Sequence, residues 1–149
     1  MLGIQQYGGT VERFWNAFQA LPKKSVAFDI INILAMAACY SPDPSSPLGI
    51  DPPVDLATGE LREDIWKRWL EFDPVHMAAR HADALRSMKK IFIDAGSRDE
   101  FYLDLGARIF CSRLDELGVK YTYEEFDDTH MAILYRYDRS LTELAKTLA

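Results

Sequence analysis

The chain of 149 residues has no long apolar run, and this shortage excludes a membrane-spanning protein. A helix that crosses a bilayer needs roughly 20 consecutive apolar residues. The most apolar stretch, residues 30–40, is interrupted by Asn32 and followed by Ser41 and Pro42. The first residues also lack the basic and apolar regions of a secretory signal, which predicts a cytoplasmic protein.

Basic residues are in short supply as well, since 17 Lys and Arg stand against 23 Asp and Glu, a formal net charge of −6. No basic run exceeds two residues, so neither nucleic acid nor an anionic membrane surface is an expected partner. The two cysteines, Cys39 and Cys111, lie in apolar surroundings and outside any CxxC motif. We therefore expect both to be reduced residues of the core.

Prolines are few outside one segment, because five of the seven lie in residues 42–53. Such a run is incompatible with a helix or a central strand and predicts an ordered loop or a linker. Apolar spacing predicts four helices around it, over residues 11–21, 27–40, 62–72 and 74–85. Thr10 and Asp73 stand where the first and fourth need an N-cap. The second is apolar on most faces, so we expect it to be well buried.

The second half of the chain alternates strand and helix patterns. These are predicted over residues 90–95, 103–117, 120–126 and 140–148, the last with Leu141, Leu144 and Leu148 facing inward. A crossover helix of this length makes the two strands parallel neighbours, which predicts the α/β class. A parallel sheet normally has more strands, and the only further candidate is a short segment at residues 2–7. The sheet is therefore predicted to be incomplete.

Two loops at the ends of these strands carry the residues best suited to chemistry, Asp99 after the first and His130 after the second. The carboxyl ends of parallel strands lie at one edge, where open sheets place their ligand sites. A carboxylate bonded to one imidazole nitrogen leaves the other free to deprotonate a nucleophile. The alternative is that Asp99 caps the helix beginning near Phe101 and that His130 is an ordinary loop histidine.

Other assignments stay open from the residues alone. Asp94 or Asp104 is an alternative carboxylate for the histidine. Asp127 and Asp128, together with His130, are candidate ligands of a cation, although acidic turns are usually solvated.

Three further reactive residues are weaker candidates. His76 and His81 are five residues apart and would point about 140° apart on a helix, which argues against a shared metal ion. Cys111 lies in the middle of a predicted helix with no base beside it, so it is a poor nucleophile. No metal and no organic cofactor is predicted.

Residues 90–137, which contain IFIDAGSRDEF and EEFDDTH, resemble the C-terminal part of α/β-hydrolase esterases of the esterase D-like group. In that family a strand leads to a G-x-x-D-E-F/Y turn bearing the acid of the catalytic triad. A helix, a strand and an acidic turn ending in the triad histidine follow. The resemblance implies that Asp99 is the acid and His130 the base. Residues 7–76 look like the helical insertion that these esterases carry.

The sequence departs from this family because it contains no G-x-S-x-G, the motif that carries the nucleophilic serine. The nucleophile, the preceding strands and the oxyanion-hole loop would all lie upstream of Met1. The resemblance thus implies one partial α/β-hydrolase domain over residues 1–149. Its cap-like insertion would span residues 10–88, and residues 89–149 would carry the acid and the base.

Two functions follow from these observations. The first is the C-terminal portion of a serine carboxylesterase that acts on a small-molecule ester and is inactive alone without its serine. The second is a non-catalytic assembly or binding module derived from a hydrolase fragment. The open edge of the first predicted strand predicts self-association, or pairing with the missing N-terminal half.

Overall fold

The first helix begins directly after the residue predicted to cap it. In the computed structural model, which describes residues 2–148, helix α1 spans Val11–Ala20. The Thr10 hydroxyl accepts a hydrogen bond from the Arg13 amide at 3.2 Å, which confirms the predicted cap. The segment before it, Leu2–Tyr7, is a 3-10 helix. The prediction of a strand fragment there is wrong, because the backbone bonds of this segment are local.

Helix α2 spans Phe28–Tyr40 and packs through one face only. Ile30 and Ala37 are buried, but the helix has exposed residues along its length, so the prediction that it is well buried is wrong. The two buried clusters contact one side of this helix, and residues on its other side are exposed. Cys39 lies on the open side and is exposed, which corrects the prediction that it belongs to the core; its thiol is free.

Helix α3 spans Glu63–Leu70 and packs Ile65 and Trp69 against α2. The Trp69 indole N–H donates to the hydroxyl of buried Ser41 at 2.8 Å, and that hydroxyl donates to the Asp51 carbonyl at 2.5 Å. These bonds connect both ends of the proline-rich segment to buried side chains. Of the two predicted possibilities, it is therefore an ordered loop.

The fourth predicted helix is present in three short pieces. These are α4 over Pro74–Met77, a 3-10 turn over Ala78–His81 and α5 over Ala82–Ser87. The Asp73 carboxylate accepts from the Val75 amide at 2.9 Å, which confirms the N-cap.

A two-strand parallel sheet follows, with a helix as its crossover. Strand β1 spans Phe92–Gly96, helix α6 spans Leu103–Glu116 and strand β2 spans Thr122–Phe126. The register runs from Phe92 opposite Thr122 to Gly96 opposite Phe126. The described part of the chain thus mixes helices with a parallel sheet, which confirms the α/β class in general terms.

The last helix, α7, spans Arg136–Ala145 and turns a charged face toward the sheet. Its Arg136 bonds to carboxylates on both strands. Leu141 and Leu148 are exposed, so the prediction that they face inward is wrong. The strand residues beneath α7 include carboxylates, and ion pairing with them decides which side of the helix faces the sheet.

The described residues pack as two compact units, one ending at Phe72 and one beginning at Asp73. The division at residue 88 that the family resemblance implies stays a prediction. Among the described residues, β1 pairs with β2 alone, so its other edge has no strand beside it. No helix in this part of the chain has the length and apolar character needed to cross a membrane.

Candidate functional site

The candidate site lies where β1 and β2 end, because parallel strands bring their carboxyl ends to one edge of the sheet. Backbone pairing continues beyond the strands. The Ser97 amide donates to the Phe126 carbonyl at 2.8 Å, and the Arg98 amide donates to the Asp128 carbonyl at 3.0 Å. The loop after β1 is thereby connected to the loop after β2.

Gly96 is the point at which the two loops come closest. A Cβ atom added there would lie 2.4 Å from the Asp128 carbonyl oxygen and 2.6 Å from that of Thr129. Both atoms are backbone and cannot rotate away, so only glycine fits. Its lack of a side chain allows the loop carrying His130 to cross directly over the end of β1.

Asp99 and His130 meet in this arrangement, with His130 Nδ1 3.1 Å from Asp99 Oδ2. The Asp99 side chain is only 4% exposed, and its other oxygen, Oδ1, accepts from the Phe101 amide at 2.8 Å. An ionised carboxylate only accepts hydrogen bonds, so Nδ1 carries the proton of the neutral imidazole. The basic nitrogen of the ring is then Nε2.

His130 is held by two further residues of the β1 loop. Its backbone amide donates to Glu100 Oε2 at 2.9 Å. Its ring lies edge-on to the Phe101 ring, with centroids 5.1 Å apart and planes at 83°. The His130 side chain remains 38% exposed. Nε2 has no hydrogen-bond partner in the described part of the chain, so it can bind a reacting group.

Sequence reasoning assigned no role to Glu100 or Phe101, although both belong to the D-E-F triplet in the quoted motif. The triplet was the one sequence feature that could have indicated these two residues. Three consecutive residues, Asp99 to Phe101, each contact His130 through a different group. The motif therefore supplies three contacts to His130. Of these, the sequence predicted only the one from the Asp99 carboxylate.

The two alternative carboxylates bond to other partners. Asp94 Oδ2 lies 2.9 Å from Arg136 Nε, and Asp104 Oδ2 lies 3.5 Å from Arg108. Both are directed into ion pairs with helical arginines. Among the described carboxylates, Asp99 is the one bonded to the His130 ring.

Asp127 and Asp128 lie in the loop after β2, and their carboxylates bond to different partners. Arg98 pairs with the Asp127 carboxylate at 2.8 Å. The Asp128 carboxylate accepts from the Thr129 amide at 2.8 Å and from the Tyr135 hydroxyl at 3.1 Å. These two bonds, the amide one first, lower the pKa of Asp128. Within residues 2–148 no group of three or more His, Cys, Asp or Glu is arranged to hold a metal ion.

The other reactive side chains lie in ordinary surroundings. His76 Nδ1 is 3.0 Å from Asp73 Oδ2 and is exposed, so this pair belongs to the start of α4. Cys111 is buried in α6, and burial raises the pKa of its thiol. A raised thiol pKa reduces the thiolate that a nucleophile needs.

Comparison with known proteins gives no match, since neither a family model nor a curated sequence is significantly similar to this chain. The resemblance to esterases therefore depends on the motifs around Asp99 and His130. The geometry of these two residues is an independent observation that can be weighed beside those motifs.

Proposed function

We propose that this chain is the C-terminal portion of a serine carboxylesterase, in which His130 is the general base and Asp99 orients it. The 3.1 Å contact between His130 Nδ1 and Asp99 Oδ2, with Nε2 left open, is the observation that carries the proposal. The order of acid before histidine, in loops after successive parallel strands, agrees with the α/β-hydrolase pattern.

The burial of Asp99 supports a role in catalysis. Its two oxygens accept from two different groups, one on the backbone and one on the imidazole. A carboxylate oriented in this way holds the ring in one tautomer and stabilises the imidazolium that forms during reaction. The bond from the His130 amide to Glu100 adds a second fixed point, so the ring position is set from two sides.

The chemistry requires a serine hydroxyl supplied from outside the described site. As Ser Oγ attacks the ester carbonyl carbon, its proton passes to Nε2 of His130. When the tetrahedral intermediate collapses, the carbon–oxygen bond to the alcohol breaks and Nε2 returns the proton to the leaving alkoxide. Water then attacks the acyl-enzyme in the same way, with His130 again taking and returning a proton.

The first test uses the coding sequence upstream of Met1. The 149 residues contain no G-x-S-x-G, so the proposal requires an in-frame motif of this kind some tens of codons earlier. It should lie between a predicted strand and a predicted helix, because the nucleophile of these enzymes sits on a strand-to-helix turn. Absence of the motif would contradict the proposal.

The second test uses the extended protein with a short-chain nitrophenyl ester. The kcat of the Asp99→Asn variant is expected to fall by about 10⁴-fold, because the histidine of a triad adopts the wrong tautomer without its orienting carboxylate. Asp104→Asn is the matched control, because Asp104 is equally buried but pairs with Arg108. Equal losses in both variants would show a structural effect and refute the assignment of Asp99.

The 149-residue chain itself is expected to hydrolyse the ester no faster than buffer, with or without His130→Ala. Nucleophile and oxyanion donors supply most of the rate in such enzymes, and neither is assigned in this chain. Rapid turnover by the parent chain that disappears in the variant would reveal a nucleophile within these residues. It would overturn the proposal that the chain is only part of the enzyme.

The second candidate function is a non-catalytic assembly module derived from a hydrolase fragment. The observation that favours it is the edge of β1 that has no neighbouring strand among the described residues. Unpaired backbone amides and carbonyls of this kind are a template for association. This candidate predicts that no in-frame G-x-S-x-G motif precedes Met1, whereas the esterase proposal requires one.

A further inference from the structure

Helix α7 is docked through its charged side, and its apolar side faces outward. Arg136 donates to Asp94 at 2.9 Å and to Glu124 at 2.8 Å, which connects the helix to both strands. Arg139 donates to Glu124 at 2.6 Å. The Arg136 side chain is only 17% exposed, and its guanidinium also lies 4.5 Å over the Phe126 ring, so this arginine anchors the charged side of α7 to the sheet.

The outward side forms a continuous apolar row, which we call the α7 stripe. It consists of Tyr137, Leu141 and Leu144 on the helix, together with Leu134 in the turn before it and Leu148 in the turn after it. Leu134, Tyr137, Leu141 and Leu148 are 60–81% exposed, and Leu144 is half-buried. Their spacing alternates between three and four residues, which is the spacing of the contact positions in paired helices. A row of this kind normally faces another helix.

We propose that the α7 stripe binds the α7 stripe of a second copy of this chain, with the two helices antiparallel across a two-fold axis near Leu141. Two-fold symmetry brings the Leu134 end of one stripe onto the Leu148 end of the other. The middle of the stripe then packs against itself, so a single apolar row supplies both halves of the contact.

The charges around the stripe are compatible with an identical partner. The positions that flank a pairing seam are occupied by Asp138, Ser140, Ala145 and Thr147. Only one of these is charged, so the antiparallel arrangement places no like charges directly opposite each other. The other acidic and basic groups of α7 are engaged within one chain, as in the 3.0 Å pair between Arg139 and Glu143.

The size of the stripe suits a weak dimer. Its four exposed side chains present roughly 500 Å² of mostly apolar surface, near the upper limit for a patch that a monomer leaves open. Complete coverage of this surface in two copies would bury at most about 1,000 Å², the lower limit for a specific interface. We therefore expect a dissociation constant in the micromolar range. The inference uses only the contacts of α7 and is independent of the esterase proposal.

The test is sedimentation equilibrium of the 149-residue chain from about 1 to 200 μM. The parent chain is expected to pass from monomer to dimer over this range. Leu141→Glu is expected to weaken the dimer by about 100-fold or more, because each contact would bury two carboxylates near the axis. Leu134→Glu provides the same test at the end of the stripe, if Leu141→Glu fails to fold.

The control is Leu105→Glu on α6, because Leu105 is also an exposed leucine on a helix but lies outside the stripe. It is expected to leave the dissociation constant unchanged. Three outcomes would overturn the inference: a parent chain that stays monomeric, a dimer insensitive to both stripe variants, or equal weakening by the control. The second of these would indicate pairing through another surface, such as the edge of β1.

Discussion

At the scale of single residues, Asp99 combines two roles that the sequence analysis treated as alternatives. Oδ1 closes the turn at Phe101, as a capping carboxylate does, while Oδ2 binds His130. The local bond restricts the side chain to one orientation, and in that orientation the second oxygen points at the imidazole. The turn therefore positions the Asp99 carboxylate against the His130 ring.

Replacing Asp99 by Asn is expected to reverse the tautomer of His130. The amide oxygen can still accept from Phe101, and the amide nitrogen then donates to Nδ1, which must give up its proton. Nε2 becomes protonated and can no longer act as a base. Nitrogen NMR of the His130 ring, measured with the imidazole neutral, distinguishes the two tautomers. An unchanged spectrum would show that Asp99 does not bind the ring in solution.

Replacing Gly96 by Ala is expected to destabilise the unit that begins at Asp73 by about 3 kcal/mol, the upper range for overpacking. The added Cβ would overlap backbone oxygens of the loop that carries His130. The control is Gly106→Ala in α6, where a Cβ meets nothing within 4 Å. It is expected to stabilise by up to about 1 kcal/mol. Urea unfolding followed by circular dichroism measures both, and equal effects would contradict the close approach at Gly96.

At the scale of elements, arginines from two helices hold the small sheet from its two faces. Asp94 and Glu124 are register partners on neighbouring strands, and Arg136 of α7 bonds to both. The next residue of β2 is Glu125, whose carboxylate accepts hydrogen bonds from Arg108 of α6 at 2.6 and 2.9 Å. Asp94 and Glu124 would repel each other as like charges side by side on adjacent strands, and Arg136 offsets this repulsion because it bonds to both.

Because Arg108 pairs with Glu125, we expect the folded state to lose stability in acid. Hydrogen bonds from Arg108 and then from Tyr123 lower the pKa of Glu125 to about 2. Because the folded pKa is below the unfolded value, this stabilisation is present above about pH 4.5 and is lost as the pH falls toward 2. Unfolding midpoints between pH 6 and pH 2 are expected to fall less steeply in Arg108→Met than in the parent chain.

The matched control is Arg113→Met, since Arg113 also lies on α6 but pairs with Glu116 of the same helix, on the surface. Such exposed pairs contribute little. Its acid profile is expected to follow that of the parent. If Arg108→Met and the parent had parallel profiles, Glu125 would not be a source of the acid sensitivity.

At the scale of the whole molecule, the chain divides its buried side chains between two units. Ile4, Phe14 and Ile30 belong to a cluster in the first, whereas Leu114 and Cys111 are buried in the second. All three tryptophans precede Asp73. Tryptophan fluorescence therefore reports on the first unit alone.

Two core truncations are expected to separate the transitions of these units. Leu114→Ala should lower stability by about 2–5 kcal/mol in circular dichroism, because Leu114 is fully buried, while leaving the fluorescence midpoint in place. Phe14→Ala should shift the fluorescence midpoint. Coincident shifts of both signals in both variants would show that the chain unfolds as one cooperative body.

Several elements could be predicted from the sequence because their determinants are local. Thr10 and Asp73 cap their helices by accepting from amides two or three residues away. Gly118, with φ of +65°, ends α6 while the Val119 amide donates to the Leu114 carbonyl at 2.9 Å. Strand, crossover helix and strand follow from apolar spacing and chirality. These features hold whatever the chain packs against.

Predictions that depended on a neighbouring surface were less successful. Cys39 and Leu141 have the composition of core residues, yet both are exposed, because burial requires a surface to cover them. Apolar spacing predicts which face of a helix is apolar but not which face docks. On α7 the docked face is the one whose Arg136 bonds to Asp94 and Glu124, which lie 42 and 12 residues away on two different strands.

The sequence alone determined that Asp99 and His130 lie in loops after two parallel strands, since strand order and handedness follow from local patterns. The tertiary structure decided that the two side chains touch. That contact depends on the register of β1 with β2 and on the close crossing at Gly96, both of which join residues about 30 positions apart. The tertiary structure also decided that α7 presents leucines outward, because Arg136 and Arg139 on its other side bond to carboxylates of the strands.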